Sequence, residues 1–148
     1  MNSPRLPLLA RRQWRLIHHV PATAFADGDY RVRITVSDAP ANTPQEALSG
    51  TLESDVFTID NTPPVISGLT VVGGHVRWHA ADALNNITRA EYSLDGGDWT
   101  KVDPVGRLSD SKAEDYDLAL QVAAGKEHTV AVRVTDDNNN QVVAKTTI

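Results

Sequence analysis

The run Thr129-Val130-Ala131-Val132-Arg133-Val134-Thr135 alternates with a period of two. Val130, Val132 and Val134 fall on one face; Thr129, Ala131, Arg133 and Thr135 fall on the other. Such a stripe is buried most simply by a β-strand with one side on a core, and β-branched side chains favour that pleated geometry. Asp136-Asp137-Asn138-Asn139-Asn140 follows and reads as a turn, because Asp and Asn tolerate positive φ and bond to their own backbone. Gln141 to Ile148 then reads as the returning strand of a hairpin.

The same pattern recurs upstream. Val76, Trp78 and Ala80 alternate inward in His75–Ala80, and Ala90, Tyr92 and Leu94 share a face in Ala90–Leu94. Asp95-Gly96-Gly97-Asp98 is a hairpin turn, and Trp99 begins another short strand. Leu118, Leu120 and Val122 share a face in Tyr116–Val122. Counting from Val65, about seven short strands with turns every ~8–12 residues predict a β-sandwich. No helical periodicity stands out.

Residues before Pro63 read differently. Gln13–Val20, Tyr30–Ser37 and Ser54–Ile59 are expected to be strands, residues 39–53 a long polar loop, and Asp60-Asn61-Thr62-Pro63-Pro64 an extended linker. Tyr30 to Asp38 aligns without gaps on His128 to Asp136, so Asp38 meets Asp136 at an offset of 98 residues. That is about the length of one immunoglobulin-like module, ~100 residues. The chain therefore divides into an N-terminal extension (1–11), an incomplete module (12–62, with the linker at 60–64) and a complete module (63–148). A few strands with one apolar face are marginal alone. The first segment is thus expected to dock on the second module or to self-associate through open strand edges at 13–37.

The residues resemble a known class. Trp78, Tyr92 and the stretch Leu120 to Val132 are similar to fibronectin type III modules, with His128 where that family carries its corner Tyr and Ala124 where it carries Pro. Asp27 to Asp38, Phe57 to Pro64 and Glu91 to Trp99 are similar to bacterial immunoglobulin-like modules found in the tails of large exported proteins. The resemblance implies an all-β, immunoglobulin-like (fibronectin type III-like) sandwich. It also implies a non-catalytic role as a spacer or protein-binding module, placed outside the cell, in the periplasm or at the surface as part of a longer chain.

Composition narrows the chemistry. With 148 residues the chain has room for one ordinary domain or two small ones, and 41% hydrophobic residues can form a core. Net charge is −5 with no basic run, which disfavours nucleic acid and anionic membranes as partners. Absence of cysteine removes disulfides, thiolate nucleophiles and Cys-ligated zinc. No apolar run is long enough to span a bilayer, and the Leu6-Pro7-Leu8-Leu9-Ala10 stretch is too short for a signal-peptide core. There is no Gly-x-Ser-x-Gly elbow or phosphate loop, and the carboxylates lie mostly in turns with no two forced together; the chain reads as not an enzyme.

Three sets of residues remain as candidate sites. Asp60, Asp82, Asp136 and Asp137 sit in a linker and at strand ends, where calcium collects carboxylate and carbonyl oxygens; Asp38 is the first-segment counterpart of Asp136. The alternative is ordinary turn chemistry. No other cofactor is expected. Trp99, flanked by Asp95 and Asp98, offers an aromatic surface that could stack on a sugar, against the alternative of packing at the hairpin end. Among the histidines, adjacent His18 and His19 point to opposite strand faces, His75 and His79 are about 13 Å apart along one face, and His128 reads as a corner residue.

Overall fold

The computed structural model describes residues 19–123 and 125–148. It is all-β. Among the described residues, eleven strands follow one turn of 3₁₀ helix at Ala22–Ala24: β1 (Gly28–Tyr30), β2 (Arg33–Ser37), β3 (Ser49–Glu53), β4 (Phe57–Ile59), β5 (Val65–Val72), β6 (His75–Ala81), β7 (Ile87–Leu94), β8 (Thr100–Val102), β9 (Ala113–Ala119), β10 (Thr129–Asp136) and β11 (Gln141–Thr147).

The last seven strands form two antiparallel sheets, ordered β5-β6-β9 and β11-β10-β7-β8. Their inner faces make one core. It consists of Val76, Trp78 and Ala80 from β6, Ile87 and Ala90 from β7, Val102 from β8, Tyr116 from β9, and Val130, Val132 and Val134 from β10. The period of two expected on β6 and β10 is realised in these burials. The three valines of β10 are fully buried, and their strand lies centrally, paired on one side with β7 and on the other with β11. Trp78 and Tyr116 are directly opposite across β6 and β9. Their rings stack at 4.8 Å and 9°, so the two largest core side chains form a slab that fills the sheet β5-β6-β9 side. The outer face of that sheet is charged: Asp117 accepts from His75 and Arg77, and Asp115 from His79.

Turn chemistry sets the register. Asp95 and Gly96 both have positive φ, at 53° and 74°, the pairing a tight hairpin needs and which Asp and Gly supply at low strain. Asp95 is anchored there because its carboxylate accepts from Thr129 N–H at 2.8 Å and from His128 Nδ1 at 2.7 Å.

The first half forms two small ladders, β1 with β4 and β2 with β3. Here the structure corrects the sequence reading. The segment expected as a loop over 39–53 contains β3, and the strand expected at Ser54–Ile59 shrinks to β4. Ser49-Gly50-Thr51-Leu52-Glu53 has little β-branched character; it is extended because β2 provides a partner for its backbone, Arg33 to Ser37 matching Glu53 to Ser49. Tyr30–Ser37 is likewise broken between β1 and β2, where Ser54 takes over the pairing: its N–H donates to Val32 O and its hydroxyl accepts from Val32 N–H. The strand expected at Gln13–Val20 falls mostly outside the described residues; His19 and Val20 are in coil.

Candidate metal centre

Asp60 opens the linker, Asp82 follows β6 and Asp136 ends β10. The fold brings these three together, with one carboxylate oxygen from each within 4.8 Å of the others. The sequence reading, in which no two carboxylates are forced together, is corrected here. Asp60 and Asp136 are buried, at 5% and 1% exposure.

Local geometry explains the convergence. β10 shifts register against β7 between Thr135 and Asp136. Such an irregularity re-aims side chains at a strand end, and both Thr135 and Asp136 become buried. Asp136 then caps its own turn: Oδ1 accepts from Asn140 N–H at 2.8 Å and Oδ2 from Asn140 Nδ2 at 2.9 Å. Asp82 caps the turn after β6, accepting from Leu84 N–H and Asn85 N–H at 2.8 Å. Asp60 accepts from Thr62 N–H at 2.9 Å and from Asn85 Nδ2 at 2.5 Å. The carbonyl oxygen of Asp60 accepts from Asn138 and Asn140 amides at 3.4 and 3.1 Å.

The linker is therefore built into the end of the sandwich. Pro64 is fully buried. On its other side, Asn61 N–H and the Asn61 amide donate to Asp27, the amide also reaches Phe25 O at 3.2 Å, and the Thr62 hydroxyl donates to Asp27. These bonds, led by the Thr62 hydroxyl, hold the Asp27 carboxyl below its ordinary pKa.

Three carboxylates so placed repel one another. Among the described residues, no Lys, Arg or His forms an ion pair with Asp60, Asp82 or Asp136. What surrounds them is oxygen and amide: Asn85, Asn138 and Asn140. An Asn amide that donates to a carboxylate presents its Oδ1 instead when its plane rotates. Carboxylates together with amide oxygens are the donor set of a hard cation such as calcium. From sequence, Asn138 and Asn140 were read only as turn formers, and Asn85 was not singled out.

The other candidates separate. Asp137 is exposed and outside the trio; its N–H donates to Asn86 O. Asp38, the repeat counterpart of Asp136, caps its hairpin by accepting from Leu48 N–H at 2.6 Å. Trp99 is 37% exposed, but the Arg133 guanidinium lies 4.2 Å from its ring centroid. Arg133 is in turn held by two bonds to Glu91 Oε2 at 2.9 and 2.7 Å, so one ring face is already covered. Asp95 is engaged with His128 and Thr129, and Asp98 is exposed in the same turn. His18 lies outside the described residues. His75 and His79 pair with different aspartates, and His128 bonds to Asp95.

No family model matches the chain, and no curated protein matches it. Among solved structures, the chain is similar to a chain of the sulfane dehydrogenase SoxCD from Paracoccus pantotrophus, with 20% identity and a TM-score of 0.43 over 62% of this chain. The chain spans about a quarter of that protein's length, 25%.

Proposed function

We propose that this chain is a non-catalytic structural and interaction module of a larger exported bacterial protein, and that a calcium ion at Asp60, Asp82 and Asp136 fixes the joint between its two segments. The observation that carries the reading is the joint itself. Three carboxylates from three separate parts of the chain meet where the linker enters the sandwich, two of them buried, with no cationic side chain among the described residues to balance them.

With β5 to β11 taken as strands A, B, C, C′, E, F and G, the sheet orders become A-B-E and G-F-C-C′, an arrangement of the immunoglobulin-like type. Trp78 on B and Tyr92 on C sit at or beside the core, in keeping with a fibronectin type III character. The β2/β3 hairpin, continued by the β1/β4 ladder, is antiparallel like the β10/β11 hairpin, in keeping with an incomplete module at 12–62. A carbohydrate-binding role through Trp99 has less support, because Arg133 occupies one face of the ring.

Limited proteolysis tests the joint. With calcium, the 60–64 linker should resist cleavage; in EDTA it should be cut at least several-fold faster, while the sandwich from β5 onward stays intact. Equal cleavage rates in both conditions would defeat the calcium clamp, and rapid cleavage in both would defeat the fixed joint as well.

A further inference from the structure

A groove of about 730 Å³ opens beside the joint, between β1, β4 and the turn from β10 to β11. Phe25, Tyr30 and Phe57 line it as a row of rings, the first two edge to face at 5.5 Å and the last two 6.4 Å apart. Val20 and Val32 line it too. These are large apolar side chains left open: Val20 is 48% exposed, Phe25 42%, Val32 51% and Phe57 42%. The polar lining, by contrast, is already paired. The Tyr30 hydroxyl donates to Ala26 O at 2.8 Å, and the Asn61 amide to Phe25 O at 3.2 Å. The amides of Asn138 and Asn140 donate to Asp60 O at 3.4 and 3.1 Å, and the Thr58 hydroxyl to Asp29 at 2.7 Å. An occupant therefore gains in this groove mainly by burying apolar side chains.

We propose that residues 13–18 of the same chain cover this groove, with Trp14 and Leu16 against its rings. Three observations favour this segment over a separate partner. The first is attachment. Gln13-Trp14-Arg15-Leu16-Ile17-His18 leads through His19 into Val20, which lines the groove. Extended residues reach about 3.3 Å each, so Leu16 can lie about 13 Å and Trp14 about 20 Å from Val20. A segment tethered at the mouth of its site meets it at an effective concentration on the order of millimolar. The second is pattern. Alternate residues of an extended chain share a face, so Trp14 and Leu16 fall on the face of Val20. The third is charge. Residues 1–18 hold Arg5, Arg11, Arg12 and Arg15 and no acidic side chain, whereas residues 19–62 hold seven acidic side chains against Arg31 and Arg33. Both of those arginines already face Glu53. The segment and the surroundings of the groove thus carry opposite charge, which sets orientation and speeds docking.

Cross-linking of the full chain tests this, because the chain has no cysteine of its own. Val32 lines the groove, whereas Thr23 is exposed and does not line it. Under mild oxidation, Leu16→Cys/Val32→Cys should close a disulfide within one chain at least tenfold faster than Leu16→Cys/Thr23→Cys. An undocked segment gives the reverse order, since the loop from 16 to 23 is the shorter one and costs less entropy to close. A second readout leaves the groove untouched. Acrylamide quenching of Trp14, taken as the difference between wild type and Trp14→Phe, should rise at least threefold in Arg11→Glu/Arg12→Glu/Arg15→Glu. Near-ultraviolet circular dichroism checks that each variant keeps its sandwich. Faster closure of the Thr23→Cys pair overturns the proposal. So does a disulfide that forms between copies rather than within one, or a Trp14 quenched as freely in wild type as in the charge-reversed variant.

Discussion

Asp82→Asn should change the sign of its effect on stability when calcium is added. The replacement keeps an oxygen to accept from Leu84 and Asn85 N–H, so the turn after β6 survives. It removes one of three charges whose oxygens lie within 4.8 Å. Two unit charges at that separation repel by about 3 kcal/mol at an effective dielectric of about 20. Asp82 is only half-buried, so solvent screening reduces the net gain to about 1 kcal/mol. Without calcium the variant should therefore melt a few degrees higher than wild type, at about 2–4 °C per kcal/mol for a chain of this size. With calcium at a hundredfold excess over its Kd, wild type gains about 2.7 kcal/mol, or roughly 5–10 °C, and the variant loses most of that gain. The order of the two melting temperatures should invert. Thermal melts by near-ultraviolet circular dichroism, in EDTA and in calcium, read it. If the variant is the less stable protein in both buffers, repulsion among the three carboxylates is not what the site contends with.

Other consequences follow from the surrounding structure. The Asp95 carboxyl is held below its ordinary pKa, first by the bond from His128 and then by Thr129 N–H. A depressed folded-state pKa stabilises fully above the unfolded value of about 3.9 and is lost as pH falls through the folded value. Asp95→Asn should therefore lower the urea midpoint by a constant amount near neutral pH and converge on wild type below about pH 4. Trp99→Ala removes the ring beneath Arg133 and should cost about 1 kcal/mol, while leaving migration in polysaccharide-containing gels unchanged. Val132→Ala empties a fully buried site on the central strand and should cost about 2–3 kcal/mol by denaturant titration.

The sandwich was legible because its strands obey a simple rule. Val76, Trp78 and Ala80 on β6, and Val130, Val132 and Val134 on β10, are apolar at every second residue, and all six are buried. β3 was not legible because Ser49–Glu53 owes its extension to hydrogen bonds with β2, which leave no mark on side-chain periodicity. The metal candidates were half legible. Asp60, Asp82 and Asp136 stand out as acidic residues at strand ends, but their meeting depends on three-dimensional closure of the sheets and on the register shift at Thr135. Asp137 is the next residue and equally acidic, yet it lies in the turn beyond β10 and stays exposed. The bracing asparagines Asn85, Asn138 and Asn140 were hidden in ordinary turn sequences.

Calorimetric titration of calcium into the metal-free full chain decides whether Asp60, Asp82 and Asp136 form a cation site. Saturable binding at one site per chain is expected, lost in Asp136→Ala and unaffected by Asp137→Ala. No binding at millimolar calcium, or binding that survives Asp136→Ala, would contradict it.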